Sequence, residues 1–169
     1  MNLTKNETGE LSKIKKDIVA LKDYLNQHDI KEEWISKDWH DFLKDVKTTI
    51  GHLYNKVSFT ACLLAKEFLI KEHSGVDFDA AEKMQSAPGL DIDTRDSNNN
   101  RIIAEIKTTE PCKENDFGAQ QKESIKKDLK KLKENEADYK YFFVTSERSF
   151  QIINRRYSDI TRGIIVKLL

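Results

Sequence analysis

This chain has few cysteines, no long apolar run and no excess of charge of either sign. Each of these features excludes a class of protein. The 169 residues contain two cysteines, which have neither the number nor the spacing of a disulfide framework or a metal-binding motif. No apolar stretch approaches the roughly 20 residues that a membrane-spanning helix needs. The opening MNLTKNETGE also lacks the apolar core of a signal peptide. We therefore expect a cytoplasmic protein with no membrane partner.

The charges of the two signs balance. The 29 Lys and Arg residues equal the 29 Asp and Glu residues in number, and charged residues make up 34% of the sequence. Together with 38% hydrophobic residues, this composition is typical of a globular protein with a heavily charged surface. Any affinity for nucleic acid must come from a local basic patch, because the overall charge does not supply it.

Several widespread catalytic motifs are missing as well. The sequence has no GxSxG nucleophile elbow, no GxxxxGK phosphate-binding loop and no glycine-rich dinucleotide fingerprint. The histidines are too scattered to place two metal ligands on one helical turn. They are His28, His40, His52 and His73.

The most informative stretch that is present runs from Pro88 to Thr109, PGLDIDTRDSNNNRIIAEIKTT. Apolar and polar residues alternate on either side of Asp96–Asn100, which consists of turn-forming residues, so the stretch predicts a β-hairpin. The alternation gives each strand one core face and one chemically active face. If three or five residues form the loop, the residue numbers of facing pairs sum to 196, which places Asp91 opposite Glu105.

Two facing carboxylates have a definite chemical consequence. Facing side chains lie roughly 4.5–5.5 Å apart at Cβ, so Asp91 and Glu105 repel each other unless one binds a proton or a cation lies between them. Mg²⁺ suits this position, because it binds one or two carboxylates together with waters and substrate phosphates. Lys107 points to the same face as Glu105, where it can orient an attacking water or stabilise charge developing on phosphorus.

At these residues the chain resembles the PD-(D/E)XK, or restriction-endonuclease-like, nuclease superfamily. The resemblance rests on Gly89-Leu90-Asp91-Ile92, a turn, and Ala104-Glu105-Ile106-Lys107-Thr108-Thr109. It implies a Mg²⁺-dependent nuclease in which Asp91 and Glu105 bind the metal and Lys107 is the catalytic lysine. It also implies an α/β core, with a central mixed β-sheet flanked by helices, over the C-terminal two-thirds of the chain.

Two further acidic residues are candidates for the same site. Asp93 would face Ile103 and is less well placed than Asp91, although a β-bulge would change this count. Glu67 lies in an apolar segment, Val57–Ile70, that predicts a helix packed against the sheet. It either lends a carboxylate to the site, as acidic residues do in some relatives, or is a surface charge.

The first part of the chain is predicted to be helical, which divides the protein into a helical region at 1–50 and a nuclease-like core at 51–169. A heptad seam of apolar residues either docks on the same chain or mediates dimerisation. Its members are Leu11, Ile14, Ile18, Leu21 and Leu25. A second helix is expected from a start signal at Ser36, with Gly51 as its break.

A lysine-rich helix is predicted after the hairpin, at Ala119–Asn135, with a buried stripe formed by Ile125, Leu129 and Leu132. On its exposed side, three lysines share one face at i, i+4 spacing, and they are Lys122, Lys126 and Lys130. They form either an ordinary solvated face or a surface that contacts the DNA backbone.

Residues 141–168 complete the α/β pattern. Tyr141–Thr145 is a continuous apolar run, typical of a buried central strand, and a short helix at 149–157 and a last strand at 163–168 follow. Three arginines near this helix are either DNA contacts or exposed charges, and they are Arg148, Arg155 and Arg156.

Taken with this resemblance, the sequence predicts a Mg²⁺-dependent DNA endonuclease, with a type II restriction endonuclease as the favoured kind. Small domains with one active site cut both strands by pairing, so DNA and a second copy of the chain are the expected partners. A DNA repair or junction-resolving nuclease is the alternative with the same chemistry. A non-cleaving nucleic-acid-binding module is the alternative without it, and the paired carboxylates argue against that module because they repel phosphate.

Overall fold

A computed structural model describes residues 1–82 and 88–169 of the chain. In order, the elements of these residues are α1 (Lys5–Gln27), α2 (Ser36–Ile50), α3 (Leu53–Glu72), β1 (Ile92–Arg95), β2 (Arg101–Lys107), α4 (Ala119–Glu134), β3 (Tyr139–Val144), α5 (Glu147–Arg156) and β4 (Ile165–Leu168). They form two compact units, one at Asn2–Lys56 and the other at Val57–Leu169 together with Met1. No helix in the described ranges is long and apolar enough to cross a membrane.

The helix boundaries of the N-terminal unit follow from its sequence. Thr4 caps α1, because its hydroxyl accepts a hydrogen bond from the Glu7 N–H at 3.1 Å while the Glu7 carboxylate accepts one from the Thr4 N–H at 2.8 Å. The second helix begins at Ser36, as predicted. It ends before Gly51, whose φ of 61° favours glycine and makes the predicted break.

The apolar side chains of the N-terminal unit are only partly covered. The rings of Tyr24 and Trp34 contact the buried Phe42, where α1 and α2 pack against each other. In the predicted heptad seam, however, Ile18 and Leu25 are 48% and 45% exposed. Docking on the same chain and dimerisation therefore both stay predictions for this seam.

The second unit is built on an open mixed sheet of four strands in the order β1-β2-β3-β4. The first two strands are antiparallel, and β2, β3 and β4 are parallel. α4 and α5 are the crossovers between the parallel strands, and both pack on one face of the sheet, as right-handed connections require. α3 packs on the other face. The α/β class with a mixed sheet is thus confirmed.

Both faces of the sheet carry a core. On one face, Leu69 of α3 packs with Ile102 of β2, and on the other the predicted stripe of α4 packs with Ile103 and Phe142. The helix predicted at Val57–Ile70, the α4 stripe and the central strand β3 are all confirmed. The prediction of a single core face on β2 is wrong, because a strand between helical layers is buried on both sides.

The β1–β2 hairpin has the predicted register. Ile92 pairs with Ala104 and Asp93 with Ile103, so the residue numbers of each pair sum to 196. The loop is Asp96–Asn100, in which the Asp96 carboxylate accepts hydrogen bonds from the N–H groups of residues 98 and 100 at 2.8 and 2.9 Å. Only a few residue types favour such a turn, and Asp and Asn are among them, so the sequence alone predicted it.

Candidate active site

Asp91 and Glu105 meet at one end of the hairpin. Asp91 directly precedes β1, and the observed register, continued by one residue, places it opposite Glu105 of β2. The Asp91 carboxylate accepts a hydrogen bond from the backbone N–H of Ile106 at 2.8 Å, which fixes it beside the strand. The structure therefore brings together the two carboxylates that the sequence paired.

Glu105 is a buried carboxyl group with a strongly shifted pKa. Its side chain is only 3% exposed, since α4 covers this face of β2. Burial, and after it the charge of Asp91, raises the pKa of Glu105 from 4.5 to about 7, against the opposing effect of Lys131. A carboxyl group in such surroundings favours either a proton or a cation beside it.

Lys131 of α4 is the cation that lies beside Glu105. Its Nζ is 2.6 Å from Glu105 Oε1 and donates a hydrogen bond to the carbonyl oxygen of Gly89 at 2.8 Å. The approach to Glu105 has the distance of an ion pair but not the direction of a hydrogen bond, so Oε1 has no aligned donor among the described residues. Burial disfavours the charged lysine, but the neighbouring Glu105 raises the pKa of Lys131 above its ordinary value.

Lys107 is held by α4 through a different pair of groups. Its Nζ lies 2.5 Å from Asp128 Oδ2 and donates a hydrogen bond to the Ser124 hydroxyl at 2.8 Å. The Lys107 and Asp128 side chains are 18% and 13% exposed, so this ion pair is largely removed from water. Lys107 is thus held in a fixed position on β2, two residues beyond Glu105.

Three residues of α4 belong to this cluster although sequence reasoning missed them. Ser124, Asp128 and Lys131 are spaced i, i+4 and i+7, which places them on one side of the helix facing β2. The apolar stripe of α4 follows the same spacing at almost the same positions, so the two rows lie side by side. The signal was therefore a polar row beside an apolar one, obscured by the many other lysines of this segment.

The donor groups of the cluster fit a Mg²⁺ ion. Asp91 and Glu105 offer carboxylate oxygens, and Gly89 offers a carbonyl oxygen that a lysine now uses. Among the described residues, no group of three or more His, Cys, Asp or Glu side chains is placed to hold a metal ion. Mg²⁺ does not need such a group, because it is commonly bound by one or two carboxylates and keeps several waters.

The two additional acidic candidates have other surroundings. Asp93 forms a two-pronged ion pair with Arg101, with distances of 3.0 and 2.6 Å to its two carboxylate oxygens. Arg101 in turn donates to the carbonyl oxygen of Glu136, which ties this pair to the loop after α4. Glu67 is exposed on α3, which packs on the opposite face of the sheet from Glu105. Glu67 is therefore not brought to the paired carboxylates, and Asp93 is engaged with Arg101.

The predicted lysine face of α4 is partly engaged within the protein. Lys122 Nζ lies 2.6 Å from Asp116 Oδ2, and Lys130 Nζ lies 3.5 Å from Glu134 Oε1. Lys126 is exposed and has no ion-pair partner in the described part of the chain. Three arginines of α5 donate hydrogen bonds to the loop at residues 113–116, namely Arg148, Arg155 and Arg156. DNA contact by either set stays a prediction.

The chemistry of this cluster has to be inferred from its own residues. Comparisons with family models, with curated proteins and with solved structures found no match to this chain. Three carboxylates and two ammonium groups meet at the β2–α4 contact, and this leaves an excess of one negative charge when all are ionised. A divalent cation would turn that excess into a net positive charge, which suits an anionic substrate.

Proposed function

We propose that this protein is a Mg²⁺-dependent endodeoxyribonuclease with a restriction-endonuclease-like core. The observation that carries the proposal is the pairing of Asp91 with the buried Glu105 on the strand that also bears Lys107. Paired carboxylates beside an ammonium group are suited to a divalent cation and a phosphodiester. The order of α3, hairpin, α4 and β3 in a mixed sheet is compatible with the core of that superfamily.

Each residue of the cluster has a distinct role in this proposal. Asp91, fixed by the Ile106 N–H, and Glu105, fixed by burial, are the residues that would hold the metal. When bound, Mg²⁺ supplies Lewis-acid chemistry, by polarising the phosphodiester and lowering the pKa of a water. Lys107 orients the attacking water or stabilises charge on phosphorus, and Asp128 and Ser124 position its ammonium group.

The biological setting we favour is restriction, with a homodimer acting on duplex DNA. One cluster per chain cuts one strand, so a double-strand break calls for two copies related by a two-fold axis. A repair or junction-resolving nuclease would use the same residues on a different DNA shape. Mapping the ends of cut plasmid, branched DNA and duplex separates these two settings.

The decisive experiment is a cleavage assay with supercoiled plasmid, purified protein and Mg²⁺, with a chelator control. We expect nicked and linear products from the wild type and none from Asp91→Asn or Glu105→Gln. Both variants should keep their fold and bind DNA at least as tightly, because each removes a negative charge that repels phosphate. Asp93→Asn is the matched control and should cut normally, because Asp93 is paired with Arg101. Normal cleavage by the first two variants would contradict the proposal.

A non-cleaving nucleic-acid-binding module is the second candidate, and one observation favours it. Glu105 and Lys107 both form ion pairs with α4, so the cluster also serves to dock this helix on the sheet. A protein of this kind would retard DNA in a gel with and without Mg²⁺ and produce no cuts. Its Asp91→Asn variant would behave as the wild type in both assays.

A further inference from the structure

We propose that the ammonium group of Lys131 occupies the cation position of this site in the metal-free protein, so that a divalent cation must displace it in order to bind. This inference rests on the proposed metal site and concerns the regulation of that site. Lys131 then acts as a built-in competitor whose release accompanies metal binding.

The surroundings of Lys131 Nζ consist of the kind of ligand that a hard cation takes. Nζ lies 2.6 Å from a Glu105 carboxylate oxygen and 2.8 Å from the carbonyl oxygen of Gly89. The negative charges of Asp91 and Asp128 act on the same group. Carboxylate and carbonyl oxygens are also the ligands of Mg²⁺ and Ca²⁺, so the ammonium group and the metal call on the same atoms.

The two lysines of the cluster are held in different ways, and only one arrangement favours exchange. Lys107 has a partner in Asp128 and a hydrogen bond to Ser124, neither of which belongs to the paired carboxylates. Lys131 instead forms its ion pair with Glu105 itself, which is one of the paired carboxylates. The Lys131 side chain is also the more exposed of the two, at 29% against 18% for Lys107.

The competition sets the size of the effect to be measured. If the ammonium group fills the position about nine-tenths of the time, the apparent affinity for the metal is weaker by about tenfold. Removing the charge while keeping the apolar stem should restore that factor. Lys131→Met does so, because methionine is unbranched and fills a similar space.

The test is titration calorimetry of Mg²⁺ and Mn²⁺ into the full chain without DNA. We expect Lys131→Met to bind at least about tenfold more tightly than the wild type. Lys130→Met is the matched control. It removes the same charge from the neighbouring residue, whose side chain is exposed and paired with Glu134. This control should bind as the wild type does.

Each other outcome overturns the inference in a recognisable way. Equal affinity in the wild type and Lys131→Met would show that Lys131 does not compete, and would leave the metal site standing. Weaker binding by folded Lys131→Met would make the lysine a support of the site. No binding by any of the three proteins, with either metal, would overturn the metal site together with the inference.

A second measurement uses the wild type and does not depend on the variant folding. The side-chain ε-CH₂ signal of Lys131 is followed by NMR while Mg²⁺ is added. We expect this signal to move toward the position of an exposed lysine as the site fills, while the signal of Lys130 stays in place. A Lys131 signal that remains fixed at saturating Mg²⁺ would contradict displacement.

Discussion

At the scale of single residues, Glu105 links the chemistry of the site to the stability of the fold. Its pKa is raised from 4.5 to about 7, mainly by burial, so the folded protein binds a proton more tightly than the unfolded chain does. A group of this kind contributes stability that is fully present below its unfolded pKa and is lost as the pH rises through its folded pKa. The same burial that suits a metal ligand thus weakens the metal-free protein at neutral pH.

We therefore predict that the unfolding free energy of the metal-free protein decreases between about pH 5 and about pH 8 because of Glu105. A pKa shift from 4.5 to about 7 corresponds to on the order of 3 kcal/mol. Urea unfolding in a chelator at several pH values measures this decrease. Glu105→Gln should remove it, because glutamine does not titrate. Parallel pH profiles for the two proteins would show that Glu105 titrates alike when folded and unfolded.

Lys107 is the residue whose role is easiest to separate from metal binding. Lys107→Ala should lower the cleavage rate by about 10²- to 10⁴-fold, the range typical of a positioned proton-transfer or charge-stabilising group. Its affinity for Mg²⁺ in calorimetry should stay near that of the wild type, because its ion pair is with Asp128. A thermal melt accompanies both assays. Lost metal affinity with a normal rate at saturating Mg²⁺ would make Lys107 a structural residue.

At the scale of elements, α4 combines three surfaces on one helix. One row packs into the core, a second faces β2 with Ser124, Asp128 and Lys131, and a third contains the half-buried Lys122 and the exposed Lys126 and Lys130. A helix has room for such rows because residues three and four apart share a side. The third surface lies on the same helix as the candidate active site, which is the reason to test it for phosphate contacts.

We predict that replacing Lys122, Lys126 and Lys130 together by Gln weakens binding of all DNA sequences alike. Each lost phosphate contact should reduce the slope of log K against log salt concentration by roughly 0.9 in duplex DNA. Gln preserves helix propensity, so the fold should be retained. Fluorescence anisotropy at a series of salt concentrations measures both quantities.

The control for this triple variant comes from the N-terminal unit. Lys15, Lys16 and Lys22 are exposed on α1 and carry the same total charge. Replacing them by Gln should leave the salt slope unchanged. If both triple variants lose affinity equally, DNA responds to overall charge, and if neither does, the lysine row of α4 is a solvated face.

At the scale of the whole molecule, local patterns predicted most of the elements. The turn residues at Asp96–Asn100 and the alternation around them predicted the register that pairs Ile92 with Ala104. Three- and four-residue spacing predicted α4 to within one residue of its observed end at Glu134. These signals are short-range, so a single sequence contains them in full.

The contacts across the crossover were not predictable in the same way. The ion pairs of Glu105 with Lys131 and of Lys107 with Asp128 depend on how α4 is rotated over β2. That rotation is set by apolar packing against the sheet. From the sequence alone, a lysine-rich helix allows many equivalent ion pairs with β2. The burial of Glu105 was missed for the same reason. Ile103 and Glu105 lie on one face of β2, and this face is covered only when α4 packs against it.

The β2–α4 ion pairs also form at a particular stage of folding. Their partners are far apart in the sequence, so neither pair exists until α4 has packed on β2. The apolar row sets the rotation of α4, so we expect the ion pairs to align after the main folding barrier. We predict that Asp128→Asn speeds unfolding and leaves the folding rate near that of the wild type, whereas Leu129→Ala in the core row slows folding as well. Stopped-flow chevron plots of the metal-free proteins measure both rates.

A slower folding rate for Asp128→Asn, in proportion to its lost stability, would instead place the charged cluster in the folding nucleus. Late assembly has a consequence for a newly made chain. Until the crossover closes, the hairpin can pair Asp91 with Glu105, but α4 does not yet cover Glu105 and Asp128 does not yet hold the Lys107 ammonium group. A nascent or partly unfolded molecule would therefore carry an incomplete site, and the proposed nuclease activity would begin only with the completed fold.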